Sequence, residues 1–544
     1  MAVAYLNRTL RKARLAALVA IASCAFAGCA AHAQRHWLRI ADGAGDLPSL
    51  NPHLTAVATM DDLGQLSLAY FMRYDREGKL RPELITEVPS LRNGGVSRDG
   101  LRLTWHLRRG VRWSDGAPFD ARDVAFTIRA ILNPANNEIG GTEGWDMIRH
   151  VDTPDPYTVV YVLRRPYGAL VPMSFTPVGG GPCVLPYHIL GRLPNINTAP
   201  YNAKPVGIGP FRIVAWKRGD SIEMEPNPYY WRGQPKLRHV TYKLIGSRDT
   251  TLAQLRNGEI DLWPGVPPTY VPQVRALRGI RSDSEPNLRT THLDFMLAPG
   301  SVADRAVREA VRLSIDRPLL VRTVEHGSGL LTDAIVWPEN PVHRNDPHAI
   351  SPDPMRARRL LTRDGWRLGP AGVRIKGTRT LALVVVYQSG APDLDSLIEL
   401  IRAELRAAGI ELVTRKYTHD ILFAPQAEGG ILASGRFDAA LYASTLVSLP
   451  DLASNFDCAQ APPHGENYNR WCDPRVNALL RTMRGSYDPV VVHKAFGQLD
   501  RLFIDQIPSI QLFVWKGSYA LSDRLTGYQP NALTAFDDML DVDI

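Results

Sequence analysis

The sequence predicts an α/β fold, and two observations carry that prediction. Leu103 to Leu132 reads as strand, turn, strand and capped helix. Asp393 to Thr414 reads as helix, glycine, strand, the alternation from which layered α/β sheets are built. At 544 residues the chain exceeds what one small core can bury, so two or three domains are expected. The composition, 45% hydrophobic and 22% charged, is that of a globular protein.

The N-terminus reads as an export leader. Arg8, Arg11, Lys12 and Arg14 form a charged region, and Leu15 to Ala22 is apolar but too short to span a bilayer. Ala31-His32-Ala33 is an A-x-A site with cleavage expected before Gln34. Two other boxes, ending at Cys24 and Cys29, predict a lipid anchor instead; all three readings export the chain. Four of the positive charges behind the net charge of +8 lie in the first 34 residues. The remainder are interleaved with acids, with no long basic run carrying aromatics, which gives no support to nucleic-acid binding.

Past the leader, His36 to Ile40 is expected as a strand, followed by a Gly/Pro/Asp-rich loop and a helix over Asp61 to Met72. Leu103, Trp105 and Leu107 alternate with Thr104, His106 and Arg108, the pattern of a half-buried strand. Gly110 breaks it, Val111 and Trp113 begin a second extended run, and Ser114-Asp115-Gly116 is turn chemistry. Asp120 is placed to N-cap a helix, and Asp123 puts a carboxylate in its first turn, where the helix dipole favours it. Val124, Ile128, Ile131 and Leu132 form the apolar stripe, and Asn133-Pro134 ends it. A strand over Thr158–Leu163 leads to Gly179-Gly180-Gly181. No Lys-Ser or Lys-Thr follows these glycines, so they read as a flexible turn and not a phosphate loop. Gly207-Ile208-Gly209-Pro210 asks for tight backbone before the strand Arg212–Trp216. It lacks the third glycine and the helix of a dinucleotide fingerprint.

Strand His239–Ile245, helix Asp249–Asn257 and a strand from Glu259 follow. Within Ser284–Leu297, Thr291, Leu293 and Phe295 alternate with His292 and Asp294, as a strand should. Helices are expected over Ser301–Ile315, Met355–Asp364, Asp393–Ala408, Val476–Met483 and Pro489–Ile507. Strands are expected over Leu381–Tyr387, Ile410–Thr414, Asp438–Tyr442 and Ile507–Phe513. In an exported chain, Cys458 and Cys472, 14 residues apart, read as a disulfide, and Cys183 as a buried thiol. His343 and His348, with Asp346 between them, read as a surface loop in preference to a metal site. No G-x-S-x-G, H-E-x-x-H or C-x-x-C constellation is present.

The run Trp105-x-Leu107-Arg108-x-Gly110-Val111-x-Trp113-x-Asp115-Gly116-x-Pro118-Phe119-x-Ala121-x-Asp123-Val124-x-Phe126-Thr127 resembles the signature of the extracellular solute-binding proteins of family 5, the dipeptide and oligopeptide receptors of bacterial ABC importers. Leu47 to Pro52, Lys204 to Asp220 and Ser301 to Arg317 resemble further blocks of that family in the same order, so the likeness extends from about Ile40 to about Tyr519. It implies a two-lobed periplasmic-binding-protein fold with two crossing hinge strands and an inserted subdomain in the first lobe. The implied divisions are a signal peptide over 1–33, lobe I over 34–287 (inserted subdomain about 110–199), lobe II over 288–507, and a return to lobe I over 508–544. It further implies a monomeric, non-enzymatic periplasmic receptor without cofactor or metal. Such a receptor captures a peptide-like solute between its lobes and delivers it to an inner-membrane ABC permease.

By the same resemblance, the ligand meets Gly45, Asp46, Leu47 and Pro48 on one side and Tyr442, Ala443, Ser444 and Thr445 on the other. Here the chain departs from the family. Peptide binders often carry Trp, Gly and then an aspartate that holds the ligand's ammonium, where this chain has Tyr442-Ala443-Ser444-Thr445-Leu446. A buried ammonium without a carboxylate is costly. Either Asp46 supplies the charge from the other lobe, or the ligand has no free amine. Asp46 also reads as a turn carboxylate capping amides, and Tyr442 as a core residue. Three functional classes therefore stand: a peptide receptor; the same fold for a glycan fragment, an opine-like compound or a chelated metal; and a secreted hydrolase.

Overall fold

The computed structural model describes residues 36–41, 45–55, 59–75, 79–137, 142, 144–177, 181–298, 300–335, 351–445, 452–531 and 533–544. The leader with Cys24 and Cys29, Gly179 and Gly180, the His343–His348 segment and the side chain of Thr445 lie outside what is described.

Among the described residues the strands are β1 (Trp37–Ala41), β2 (Met72–Tyr74), β3 (Leu80–Pro82), β4 (Arg102–His106), β5 (Ile148–Asp155), β6 (Thr158–Leu163), β7 (Phe211–Lys217), β8 (Ser221–Pro226), β9 (His239–Lys243), β10 (Leu262–Trp263), β11 (Ile280–Phe295), β12 (Gly329–Leu330), β13 (Arg367–Leu368), β14 (Arg374–Lys376), β15 (Arg379–Thr380), β16 (Ala382–Gln388), β17 (Glu411–Tyr417), β18 (Ala439–Thr445) and β19 (Ser509–Ser522). One mixed sheet runs β17-β16-β18-β11-β19-β10-β1-β9-β8-β7, with β12 added to β19. The chain is thus α/β, as its alternating patterns predict.

The long strands β11 and β19 pair antiparallel from Ile280 opposite Ser522 to Asp294 opposite Ser509. Their first-lobe ends were not visible as strand in the sequence. Ser282, Asp283 and Ser284 lack apolar alternation, yet the cross-strand ladder satisfies their backbone whatever the side chains are. Apolar clusters lie on either side of this pair. One gathers Leu38, Ile40, Leu63, Leu66 and Tyr242; another gathers Leu293, Val311, Val385, Leu397 and Phe513. A third, around the β4-β6-β5 sheet, gathers Phe71, Trp105, Trp113, Val124, Tyr161 and Phe175.

The Leu103–Leu132 block folds around a buried carboxylate. Asp120 caps helix Ala121–Ile131 in a capping box with Asp123. Asp123 accepts hydrogen bonds from the Asp120 amide (3.0 Å), the Trp113 indole N–H (3.2 Å) and the Tyr187 amide (2.8 Å). The second extended run at Val111 and Trp113 pairs antiparallel with 117–119 across the Ser114–Gly116 turn, the Phe119 amide donating to Val111. The Trp113 amide donates to Ala117, the Gly116 amide donates to Trp113, and one bridge joins Arg112 to Pro118.

Helix Thr59–Ser67 stops short of the expected Met72 for a long-range reason. The Gly209 amide takes the carbonyl of Ser67 at 3.1 Å, and a Cβ on Gly207 would fall 1.8 Å from that same oxygen. The glycines of the Gly-Ile-Gly-Pro run are there for close backbone approach. Cys458 and Cys472 form the expected disulfide, and Cys183 is buried and free.

Two predictions follow from this packing. Burial pushes the Asp123 carboxyl up from 3.8 to about 6, against the opposing pull of its three donors. Between about pH 4 and pH 6 the unfolded chain releases this proton while the folded chain retains it. This residue therefore makes stability fall by about 3 kcal/mol as pH rises through that window. Asp123→Ala should abolish that fall while leaving three donors unpaired, at roughly 1–3 kcal/mol each. Denaturant midpoints of both proteins at pH 4 and pH 7 measure it; an unchanged difference between the two pH values contradicts the assignment. Gly207→Ala should lower the melting temperature by several degrees. Gly485→Ala should not, since a Cβ there meets nothing within 4 Å.

Candidate functional site

Strand directions locate the site. β1 runs parallel to β9 and β10, β10 antiparallel to β19, and β19 antiparallel to β11. β11 runs antiparallel to β18, and β18 parallel to β16, which is parallel to β17. It follows that β1, β9 and β10 point along β11 toward the second half, while β16, β17 and β18 point back toward the first. The carboxyl ends of both parallel sets face each other across the β11–β19 pair, and carboxyl ends are where open α/β sheets hold ligands.

The segment after β1 is the Gly45–Pro48 loop. Gly45 has φ of 77°, which suits glycine, and the position of a Cβ on it lies 3.9 Å from the Cα of Gly246, just past β9. Leu47 is buried in the first core, while Asp46 and Pro48 are exposed. The Asp46 carboxylate lies 4.0 Å from Arg218 and is hydrogen-bonded by the amides of Gly219 and Leu47. Slight burial raises its pKa, and these amides and the guanidinium outweigh that and hold it below the ordinary carboxylate range. Arg218 also donates to the Leu47 carbonyl at 2.7 Å and stacks on Trp216 at 3.4 Å. Asp46 thus fastens its loop to the β7–β8 turn.

Opposite lies the carboxyl end of β18. In the β11–β18 ladder His292 faces Tyr442 and Thr290 faces Ser444, which puts all four on one face of the sheet. His292 Nδ1 lies 2.8 Å from Asp294 Oδ1, and His292 Nε2 lies 2.8 Å from Ser444 Oγ. The Tyr442 hydroxyl donates to the other Asp294 oxygen at 2.6 Å, and Ser509 adds a further bond. Burial raises the Asp294 pKa, but the His292 imidazole and these donors outweigh it and keep the carboxyl below its usual range. The Tyr442 ring is enclosed edge-on by His292 (4.3 Å) and Phe423 (5.6 Å), and burial together with Asp294 pushes its phenol well up. His292, Asp294 and Tyr442 are at most 8% exposed, whereas Ser444 is half-buried.

Between the two walls, Arg289 stacks over Trp515 at 4.8 Å, and the Trp515 indole donates to Thr291 at 2.8 Å. A cavity of about 560 Å³ lies elsewhere, lined by His106, Arg108, Arg109, Tyr157 and Trp231, none of which belongs to the main sheet. Among the described residues no group of three or more His, Cys, Asp or Glu side chains could hold a metal ion, and no helix is long and apolar enough to cross a membrane.

The Gly45–Pro48 and Tyr442–Thr445 segments therefore both sit at facing strand ends. Sequence reasoning did not single out His292 and Asp294. The alternation at the end of β11 puts Thr290, His292 and Asp294 on one face, but nothing local marks that face out, and their partner Ser444 is 152 positions from His292.

A family model for bacterial extracellular solute-binding proteins, family 5, matches residues 79–457. The chain is 24% identical to the oligopeptide-binding protein AppA of Bacillus subtilis over 86% of this chain and 84% of that one. It is 23% identical to the dipeptide-binding protein of Escherichia coli over 86% and 87%. The fold resembles that of AppA in complex with a nonapeptide (TM-score 0.71, 22% identity, 93% and 98% covered). It also resembles that of NikA from Brucella suis in complex with Fe(III)-EDTA (TM-score 0.80, 21% identity, 93% and 99% covered).

Proposed function

The chain belongs to the bacterial extracellular solute-binding proteins of family 5, and from that premise we propose that it is an exported periplasmic receptor that closes two lobes around a peptide-class solute and hands it, chemically unchanged, to an inner-membrane ABC permease. The observation that carries this reading is the pair of facing strand ends across one antiparallel hinge. Such an arrangement closes by bending at the crossing strands. We place the lobe boundaries near residues 287 and 508, the ligand contacts at Gly45–Pro48 and Tyr442–Thr445, and leader cleavage before Gln34. The receptor acts as a monomer. The names of the Bacillus and Escherichia relatives favour a peptide.

Two other readings each have an observation behind them. The NikA likeness, with no carboxylate among Tyr442, Ala443, Ser444 and Thr445, favours a chelated metal as solute. The order Ser444, His292, Asp294 is that of a hydrolytic triad. Against hydrolysis, Ser444 lies on a regular strand paired with Thr290, and the second oxygen of Asp294 is occupied by Tyr442.

Native mass spectrometry of the mature protein from its own periplasm, repeated after denaturation, separates the three. Released peptide masses are the expected result, with Asp46→Ala retaining less of them because its loop is unfastened. A single non-peptide mass would reject the peptide and keep the receptor. A covalent fluorophosphonate adduct on Ser444 would reject the receptor in favour of a hydrolase.

A further inference from the structure

Helices Pro474–Gly485 and Pro489–Gln506 pack together in an apolar cluster that includes Leu480, Phe496, Leu499 and Phe503. The turn between them leaves that cluster. Tyr487 packs instead against the cluster around the β4-β6-β5 sheet. Its hydroxyl donates to the Gly100 carbonyl at 2.9 Å and accepts from the Tyr167 amide, 320 positions away, at 3.1 Å. Beside it the Gly168 amide donates to the Arg484 carbonyl at 2.6 Å, and the Arg484 guanidinium lies 5.8 Å from the centre of the Tyr167 ring. The two segments are in close contact. A Cβ on Gly168 would fall 1.9 Å from the Ser486 carbonyl oxygen, and one on Gly100 would fall 3.0 Å from the Tyr487 ring. None of these residues belongs to the main sheet or to the segments at its facing strand ends.

On the receptor reading above, on which this inference rests, Gly100, Tyr167 and Gly168 lie in the first lobe and its inserted subdomain, and 484–487 lie in the second. The two segments meet outside the β11–β19 pair, so a rotation about that pair that opens the cleft parts them. We propose that the 484–487 turn and the inserted subdomain form a latch, made when the lobes close and broken when they open. Each hydrogen bond lost on opening is replaced by one to water, so a few of them tilt the balance between closed and open without fixing it. A contact made only in the closed state lengthens the retention of a solute by as much as it favours that state, although it touches no solute. Tyr487 and Gly168 are positioning residues in this sense: one supplies the bonds, and the other lets the two backbones approach. The inserted subdomain, which contributes no strand to the main sheet, thereby takes part in closure.

Spin-label distance measurements on the mature full chain test this without any solute. Cysteines replacing Arg149 on β5 and Lys494 on helix Pro489–Gln506, both exposed, carry the labels; Cys183 is buried, and Cys458 and Cys472 are paired. Tyr487→Phe keeps the ring and loses both hydrogen bonds, and it should move a fraction of the molecules to a longer distance than the wild type shows. Gly168→Ala, whose Cβ has no room beside Ser486, should move a larger fraction. Gly485→Ala, where a Cβ meets nothing within 4 Å, should leave the distribution as it was. A distribution unchanged in both Tyr487→Phe and Gly168→Ala would overturn the latch. In stopped-flow release of fluorescently tagged synthetic peptides of two to nine residues, both variants should let go roughly tenfold faster than the wild type, with association little changed. Release at the wild-type rate from both would overturn the part of the latch in retention. A wild type that binds none of these peptides would overturn the peptide reading, while the label distances still decide the latch.

Discussion

The antiparallel ladder between β11 and β19 runs from Ile280 opposite Ser522 to Asp294 opposite Ser509, and it fixes the direction of every other strand in the sheet. β10 joins one end of it and β18 the other, each antiparallel to its neighbour in the pair. Once those contacts form, the parallel strands of the two halves must point at each other. The ladder is interrupted between Pro286 and Thr290, where the register shifts and Pro286 has no N–H to give. The facing strand ends and the interruption of the ladder are thus set by the same two strands.

Around this frame, buried charges join segments that are distant in sequence. Asp261, 1% exposed, takes a bidentate pair from Arg39 and a further bond from Arg524, tying β1 to the segment before β10 and to the residues after β19. Arg317, fully buried, bonds Asp333 and the carbonyls of Thr332 and Gln511. In both, a guanidinium cancels the charge. Asp123 leans on neutral donors instead, whereas Asp294 has the His292 imidazole beside it, and their acidities move in opposite directions. Asp123 has two amides and one indole, which do not offset its desolvation. Asp294 has an imidazole beside it and two hydroxyls, which do.

What could be read from the sequence follows the range of the interactions. The Leu103–Leu132 block was legible because its determinants are local: the alternation, the Asp120 cap and the Trp113–Asp123 bond all lie within residues 103–123. The third donor to Asp123, the Tyr187 amide, was not legible, being 64 positions away. Gly207 and Gly209 were visible as a demand for tight backbone, but the neighbour that makes the demand is Ser67, and the same contact ends a helix that composition alone extends to Met72. At the site, Gly45–Pro48 and Tyr442–Thr445 came from resemblance. An amide-capping role for Asp46 and a core position for Tyr442 were among the readings the sequence allowed, but their distant partners, Gly219 in a neighbouring hairpin and Asp294 on the next strand, came only from the fold. Alternation places His292 and Asp294 on a common face, but it carries no information about which strand lies beside them.

This division of labour explains how one frame can serve several solutes. The hinge is built from backbone hydrogen bonds, which are indifferent to the side chains that β18 presents. Exchanging residues at 443–445 therefore changes what the strand end presents without loosening the ladder, provided any buried charge remains compensated. In this chain a charge lies one strand inward of β18, on Asp294, where His292, Tyr442 and Ser509 hold it. A carboxylate exposed in the cleft must shed its water whenever the lobes close, whereas one already buried and hydrogen-bonded has met that cost on folding.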